Sequence, residues 1–266
     1  MKKIKDTDYL YLSSYLQAKR ARRGETAEDK AAVYRELSSL APDPQIVDFF
    51  RLKYDYHNAK VYLKSVAAGE DNSRLYLPLG RCTPAVLTEA CRTEDYRSLP
   101  SDFAAALKES SETLGRTADP RLSDFILDRA FVKEMKDTAD KTRSEFLRGY
   151  AALQADALNL RALVRMLKSG VRPEQLKSVL TDCGSVRSAA VAAVYPDAAS
   201  VLALYRATKL APALQEAEKA ARGEGFASFE RTVRSCLDGY MEQAKYACFG
   251  EKVLIRYLYQ IEEQST

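Results

Sequence analysis

An aspartate, an asparagine and a basic residue recur with the same spacing in two parts of the chain. A carboxylate three residues from an amide shares a helix face with it and could act as a general acid or base. It could also bind backbone groups of neighbouring elements, and most polar groups near a core do so. The sequence therefore favours a structural role for this repeated signature. Its members are Asp55, Asn58 and Lys60, followed 101 positions later by Asp156, Asn159 and Arg161.

The chain has one histidine, His57, which lies beside Asn58 in the first signature. An acid–base imidazole needs a reacting partner, and the corresponding position of the second signature is Leu158. The sequence also has no glycine-rich phosphate loop, no G-x-S-x-G and no H-E-x-x-H. It therefore predicts no catalytic residue and no enzymatic activity of its own.

The cysteines follow no metal-binding pattern. They number five, include no C-x-x-C pair, and are accompanied by one histidine, so a Cys/His metal site is not expected. They are predicted to be small residues of the core in a reducing compartment. No metal site and no cofactor are predicted.

Composition is that of an ordinary soluble globular protein, with 46% hydrophobic and 29% charged residues among 266. The net charge of +4 comes from 41 basic and 37 acidic residues, a balance too even to indicate a nucleic-acid partner. The basic run QAKRARRGE at 17–25 could bind nucleic acid or anionic headgroups, but a solvated basic turn is favoured. The most apolar stretch, at 188–196, is far shorter than the roughly 18 residues of a membrane span. The chain is predicted to have no transmembrane segment.

Both signatures lie on predicted amphipathic helices. Apolar residues follow a spacing of three and four around each signature, which is one stripe of an α-helix. Because the polar signature and the apolar stripe agree in one register, we expect both helices to be main core elements. The stripes are Phe49, Leu52, Tyr56, Ala59, Leu63 and Val66, then Tyr150, Leu153, Ala157, Leu160, Val164 and Leu167.

Basic residues four apart share another face of each helix. They are Lys60 and Lys64 in the first and Arg161 and Arg165 in the second. We expect this face to be solvated or to contact a partner, with Lys64 and Arg165 as candidate partner contacts.

The repeat extends beyond the signature helices. Gly80 and Gly184 are 104 positions apart, and each precedes an apolar helical segment. Thr83 is a predicted N-cap, with Pro84 at the first helical position. A third signature helix is expected near the C-terminus, where the Asp-x-x-Asn pattern is lost and Gly250 should break or bend the helix.

The whole chain is predicted to be helical. Eleven glycines and nine prolines are few for this length, and no strictly alternating strand pattern stands out. The predicted helices are 6–18, 26–40, 43–68, 84–93, 101–115, 119–137, 140–169, 173–180, 186–194, 197–206, 209–222, 226–248 and 251–263.

Several segments together resemble one known family. They are LKYDYHNAKVYLKS, LYLPLG, DPRLSDFILDRAFVKEM, DALNLRALVRMLKSG and KYACFGEKVLIRYLY, in that order, after an N-terminal DTDYLYLSSYLQA. The most specific parts are Asp-Tyr-His-Asn, with a lysine two residues on, and Leu127-Asp128-Arg129. Over nearly its whole length the chain resembles the C subunit of the V/A-type rotary ATPases, called the d subunit in eukaryotic V-ATPases.

This resemblance implies an all-α, funnel-shaped protein of three similar helical lobes with pseudo-threefold symmetry. The expected lobes are 1–80, 81–183 and 184–266. The first is expected to be shortened, since KRARRGET bridges helices that family members separate further. The third is expected to be shortened as well, since family members continue past YLY with more helix.

The resemblance also implies a non-catalytic central-stalk connector on the cytoplasmic face of a membrane. Its expected partners are the D and F subunits of the rotor shaft and the membrane rotor ring, for ATP-linked proton or sodium transport. It would be peripheral to the membrane and would bind neither a cofactor nor nucleic acid. An all-helical scaffold or adaptor without a motor role is the alternative, because a fold alone does not fix function.

Overall fold

The computed structural model describes residues 4–19 and 27–263, and every regular element of these ranges is an α-helix or a short 3-10 helix. The predicted all-α class is thereby confirmed. Most of the basic run at 17–25 lies outside the described residues. The helices are α1 Leu10–Lys19, α2 Ala27–Leu40, α3 Pro44–Ala68, α4 Pro84–Thr93, α5 Ser101–Thr117, α6 Pro120–Thr142, α7 Glu145–Ser169, α8 Leu176–Val179, α9 Ser188–Val194, α10 Ala198–Ala203, α11 Leu214–Ala221, α12 Phe226–Met241 and α13 Glu251–Glu263.

Three helices begin at a polar N-cap followed by proline. Asp43 accepts a hydrogen bond from the backbone N–H of Gln45 at 3.1 Å, and Asp119 accepts one from Arg121 at 2.9 Å. Thr83 caps α4 as the sequence predicts, accepting from Val86 at 3.3 Å. Each such cap stabilises its helix by about 1 kcal/mol, and the proline has no N–H that would otherwise lack a partner.

Three predicted helix boundaries are wrong. The helix predicted over 209–222 begins only at Leu214, after a 3-10 helix over Ala211–Ala213. The break expected near 138–139 lies at 143–144, because ion pairs from Lys133 to Asp137 and from Lys136 to Asp140 extend α6 by about a turn. The chain turns only at Arg143, whose φ is 59°. The helix predicted over 226–248 ends at Met241 and continues as a 3-10 helix over Glu242–Tyr246. The break predicted at Gly250 is confirmed.

The chain divides into two compact units, which we call unit 1 (Met1–Ser144 with Ala244–Thr266) and unit 2 (Glu145–Gln243). In unit 1, α3 packs against α2, α4, α5, α6 and α13, and α1 packs against α13. In unit 2, α7 packs against α11 and α12, and α10 packs against α9 and α11. The three lobes and their boundaries at 80/81 and 183/184 remain a prediction.

The two apolar stripes form the centres of these packings. Eleven of the twelve stripe residues are buried or half-buried, and Leu52, Ala59, Ala157, Leu160 and Val164 have no exposed surface. Burying a large apolar side chain stabilises a fold by about 1.5–3 kcal/mol. Val66 is the exception and is 56% exposed. The stripe therefore ends one turn earlier in α3 than the spacing predicts.

Candidate functional site

The helices that carry the repeated signature, α3 and α7, have the same length, and the offset of 101 residues applies to the whole helix. Each has 25 residues, and both ends of α7 lie 101 positions after those of α3. All four signature aspartates and asparagines are buried. The structure therefore places the signature at equivalent points of two equivalent helices, one in each unit.

Asp55 binds the turn that follows Gly80. The Arg81 guanidinium donates to its carboxylate at 2.7 Å, and the Cys82 backbone N–H donates to it at 3.3 Å. A Cβ atom at position 80 would lie closer than 3.0 Å to the Asp55 carboxylate, so only glycine fits there. Burial raises the pKa of the Asp55 carboxyl, and the Arg81 charge opposes that rise.

Arg81 connects Asp55 to a second buried carboxylate. Its guanidinium donates to Glu134 of α6 at 2.6 Å, and the Tyr56 hydroxyl donates to the other oxygen of Glu134 at 2.9 Å. Asp55 is fully buried and Glu134 is 6% exposed, so both charges depend on this one guanidinium. Sequence reasoning missed Arg81 and Glu134, because neither belongs to the repeated pattern.

Asp156 binds the equivalent turn of unit 2, and among the described residues no ion pair includes it. The backbone N–H groups of Ser185 and Val186 donate to it at 3.1 Å each, and the Ser185 hydroxyl also donates to it. A Cβ atom at Gly184 would collide with this carboxylate, as at Gly80. The two turns thus have one backbone arrangement and different side-chain chemistry.

Each signature asparagine pairs with one residue of an extended segment through two hydrogen bonds. The Asn58 amide donates to the Leu77 carbonyl at 2.8 Å and accepts from the Leu77 N–H at 2.9 Å. Asn159 pairs with Thr181 in the same way, at 2.7 and 2.9 Å. The amides therefore satisfy buried backbone groups, which is the structural role that buried polar side chains usually serve.

The basic face of each helix is paired within its own unit. Lys60 forms an ion pair with Asp128, and Lys64 pairs with Asp124 at 3.0 Å. In unit 2, two basic residues share one carboxylate. Arg161 lies 2.7 Å and Arg165 3.6 Å from Glu230, and Lys64 and Arg165 have 55% and 61% of their side chains exposed.

A third glycine faces an aspartate in unit 1. A Cβ atom at Gly250, whose φ is 88°, would lie 2.5 Å from the Asp6 carboxylate. The carboxylate opposite this glycine therefore comes from the start of the chain, whereas we expected the third signature near the C-terminus. Nothing in a local spacing pattern could have joined Asp6 to Gly250.

The side chains of the signature sites are held by hydrogen bonds to neighbouring backbone and side-chain groups. Among the described residues no group of three or more His, Cys, Asp or Glu side chains could hold a metal ion. The His57 Nε2 atom lies 3.0 Å from the Leu75 carbonyl oxygen, which gives the ring a backbone partner. Within the described ranges no helix is long and apolar enough to cross a bilayer.

These features define a class of protein: an all-α chain in which a repeated structural unit is held together by buried polar contacts. The chain belongs to the ATP synthase (C/AC39) subunit family, whose model matches residues 1–263. The resemblance drawn from the sequence motifs is thereby confirmed.

Curated relatives carry matching names. The chain is 23% identical to the C subunit of the V-type sodium ATPase of Enterococcus hirae over 160 residues, which are 60% of this chain and 49% of the relative. It is 26% identical to the C subunit of the V-type ATP synthase of Thermus thermophilus over 138 residues, which are 49% of this chain and 42% of the relative. The chain spans about half the length of the curated relatives it matches.

Proposed function

We propose that the chain is the non-catalytic connector of a V/A-type ATPase or ATP synthase. In this role it joins the D and F subunits of the shaft to the membrane rotor ring and transmits torque between them on the cytoplasmic side. The observation that carries the proposal is the family match over residues 1–263. Proton or sodium transport would then be a property of the assembled complex.

The packing supports a role that needs stiffness. A connector that transmits torque must resist bending, and each signature helix is fixed along its length by a buried aspartate and a buried asparagine. These contacts tie both helices to the segments that follow them, and in unit 1 Arg81 also connects Asp55 to Glu134 of α6. Such a unit can transmit force without any bond chemistry of its own.

The first test is co-purification from native membranes. A tagged chain, expressed in its source cells and recovered after mild solubilisation, should bring down the ATP-hydrolysing subunits and the rotor ring together. The purified chain alone should not hydrolyse ATP. Recovery of the chain with other proteins but with no ATPase subunit would contradict the connector role and favour the scaffold alternative.

The second test measures direct binding to the D–F shaft. Titration should detect association at micromolar concentrations, with a faster rate at low than at moderate ionic strength if the exposed basic faces contribute. Lys64→Ala combined with Arg165→Ala should slow association several-fold at low salt. Arg92→Ala is the matched control, because Arg92 is exposed on α4 and pairs with Glu89 of its own helix. If the control slowed association equally, the basic faces would not be part of the interface with the shaft.

A further inference from the structure

Exposed apolar side chains are unevenly divided between the two units. Among the described residues, all nine large apolar side chains that are exposed belong to unit 1, and five of them lie within 4–11 and 246–249. Single exposed apolar side chains need no explanation, whereas several of them together mark an interaction surface. The five are Ile4, Leu10, Tyr11, Tyr246 and Phe249.

The two segments that carry these side chains lie against each other. The Gln17 amide of α1 donates to the Cys248 carbonyl at 3.0 Å, and the Asp6 carboxylate lies against Gly250. Phe249 stands between these two contacts in the sequence. It therefore lies beside α1 and the residues before it, which carry the other three apolar side chains of the first segment.

Basic side chains accompany Tyr246. Between 244 and 260 the chain has three basic residues and one acidic residue. Lys245 and Lys252 are exposed, and the Arg256 guanidinium donates to the Lys245 backbone carbonyl at 2.6 Å. This hydrogen bond holds the 3-10 helix that ends at Tyr246 against the face of α13 on which Lys252 and Arg256 lie four residues apart. The aromatic–basic surface, as we call it, consists of Lys245, Tyr246, Phe249, Lys252 and Arg256.

The carboxylates beside this surface contact groups of the fold. Glu251 is half-buried and accepts a hydrogen bond from the Ser144 hydroxyl at 2.7 Å. The Asp6 carboxylate faces Gly250, which is buried. The charges of the aromatic–basic surface itself are all positive, so it is complementary to an anionic partner.

We propose that the aromatic–basic surface binds an anionic lipid bilayer, with Tyr246 and Phe249 among the headgroups and Lys245 and Lys252 against lipid phosphates. Tyr246 is 85% and Phe249 54% exposed, so both rings can enter a headgroup layer. A tyrosine has an apolar body and a polar tip, which suits the boundary between water and hydrocarbon. Exposed aromatic and basic side chains together are typical of protein surfaces that lie on bilayers. The proposal goes beyond the connector role and does not depend on it.

The first test is co-sedimentation of the full chain with lipid vesicles. The chain should bind vesicles of phosphatidylcholine and phosphatidylglycerol in equal parts, and vesicles of phosphatidylcholine alone at least about tenfold more weakly. Lys245→Ala should weaken binding to the anionic vesicles about fivefold, because one basic residue near the surface is lost. Higher salt should weaken binding as well, because it screens the charges.

A double substitution tests the aromatic side chains. Tyr246→Ser combined with Phe249→Ser should weaken binding at least about tenfold, because the rings no longer leave water. Leu75→Ser combined with Leu122→Ser is the matched control, because both leucines are exposed in unit 1 outside the aromatic–basic surface. The control should bind like wild type. Thermal melts of all variants check folding.

An introduced tryptophan shows which surface meets the bilayer. The chain has no tryptophan of its own, so a single indole reports its own surroundings. The emission of Tyr246→Trp should shift to shorter wavelength when anionic vesicles are added, because the indole leaves water. Leu122→Trp on α6 is the control and should show no shift.

Any of three results would overturn the proposal. The first is no co-sedimentation with anionic vesicles at about 1 mM lipid. The second is equal binding by wild type and the Tyr246→Ser, Phe249→Ser variant. The third is a shift of the Tyr246→Trp emission on raising the protein concentration without vesicles, which would make a second copy of the chain the occupant. Because vesicle binding is measured with the chain alone, it can fail while ATPase subunits are still recovered from native membranes, and the reverse also holds.

Discussion

In both units the signature helix lies close to a turn that contains glycine, but different side chains complete the contact. In both, a buried aspartate fills the space beside a glycine, and a buried asparagine pairs with an extended residue. Around α3 the aspartate belongs to a charged network through Arg81 and Glu134. Around α7 the aspartate binds two backbone N–H groups and a hydroxyl.

The difference shows which part of the repeat the fold requires. The glycine and the aspartate are needed for the close approach of backbone and carboxylate, so both units retain them. The counter-charge is not needed, since Ser185 has the place in unit 2 that Arg81 has in unit 1. Buried ion pairs need not stabilise a fold, yet removing one partner is costly because the other charge remains buried. Unit 1 should therefore be more sensitive than unit 2 to substitutions that remove a charge around its signature.

The largest expected effect is the loss of the Arg81 charge. Arg81→Met should lower the free energy of unfolding by about 3–5 kcal/mol, because Asp55 and Glu134 stay buried without a counter-charge. The equivalent change in unit 2, Ser185→Ala, should cost less, about 1.5–3 kcal/mol, since it removes one hydroxyl donor to the Asp156 carboxylate and leaves both backbone N–H donors in place. Urea unfolding of both variants at pH 7 measures the difference. Equal losses of unfolding free energy in the two variants would contradict the proposed difference between the units.

For the apolar stripes, the larger loss of stability is expected in unit 2. Leu160 is fully buried in α7, and its counterpart in α3 is Ala59. Leu160→Ala should cost about 2–5 kcal/mol, because it leaves a cavity in the core of unit 2. The control is Val66→Ala at the exposed end of α3, for which a loss under about 0.5 kcal/mol is expected. A comparably small loss for Leu160→Ala, measured by urea unfolding, would show that Leu160 is not part of the core.

The loss of stability with rising pH should arise in unit 1. Glu262 of α13 pairs with Lys53 of α3 at 3.0 Å, and the α7 counterpart of Lys53 is the neutral Gln154. Burial raises the pKa of Glu262 from 4.5 to about 7, and the Lys53 charge opposes that rise. Between pH 4.5 and about pH 7, Glu262 loses its proton in the unfolded chain and keeps it in the folded chain. Stability should therefore fall by up to about 3 kcal/mol as the pH rises from 4.5 to 7, with no further loss above 7.

Glu262→Gln isolates this contribution. The neutral amide cannot ionise, so the variant should lose less stability than wild type between pH 5 and pH 7.5. Glu112→Gln is the control, because Glu112 is exposed on α5 and should leave the wild-type slope unchanged. Urea unfolding at a series of pH values checks both. Parallel slopes for wild type and Glu262→Gln would show that this carboxyl does not hold its proton in the fold.

The smallest effect should be shared by both units. Gly80→Ala and Gly184→Ala each place a methyl group against an aspartate carboxylate, and overpacking of this kind costs about 1–3 kcal/mol. The two losses should agree within error, because the close approach is the part that the units share. Thermal melts of both variants, with Gly239→Ala as an open-space control, test this. A loss at only one of the two glycines would mean that the turns are not equivalent.

The repeat could be predicted from sequence because it is local. A polar signature and an apolar stripe, each within one helix, define α3 and α7 and their 101-residue offset. Arg81, Glu134 and Asp6 could not be found in this way, since each meets its partner across a large separation in the chain. The end of the α3 stripe was missed for a related reason. Whether Val66 is covered depends on which other elements of its unit pack against the last turn of α3, and the spacing within α3 does not contain that information.

The contact between Asp6 and Gly250 has a consequence for hydrogen exchange. Terminal helices usually fray, so their amides exchange through local opening long before the fold unfolds. In α13, Val253, Leu254, Ile255 and Leu258 are all buried, and the turn before it lies against Asp6 and hydrogen-bonds to Gln17 of α1 through the Cys248 carbonyl. Opening α13 requires the release of α1 as well. The amides of the last helix should therefore exchange as slowly as those at the centre of α3, and the first and last helices should open together as one cooperative unit.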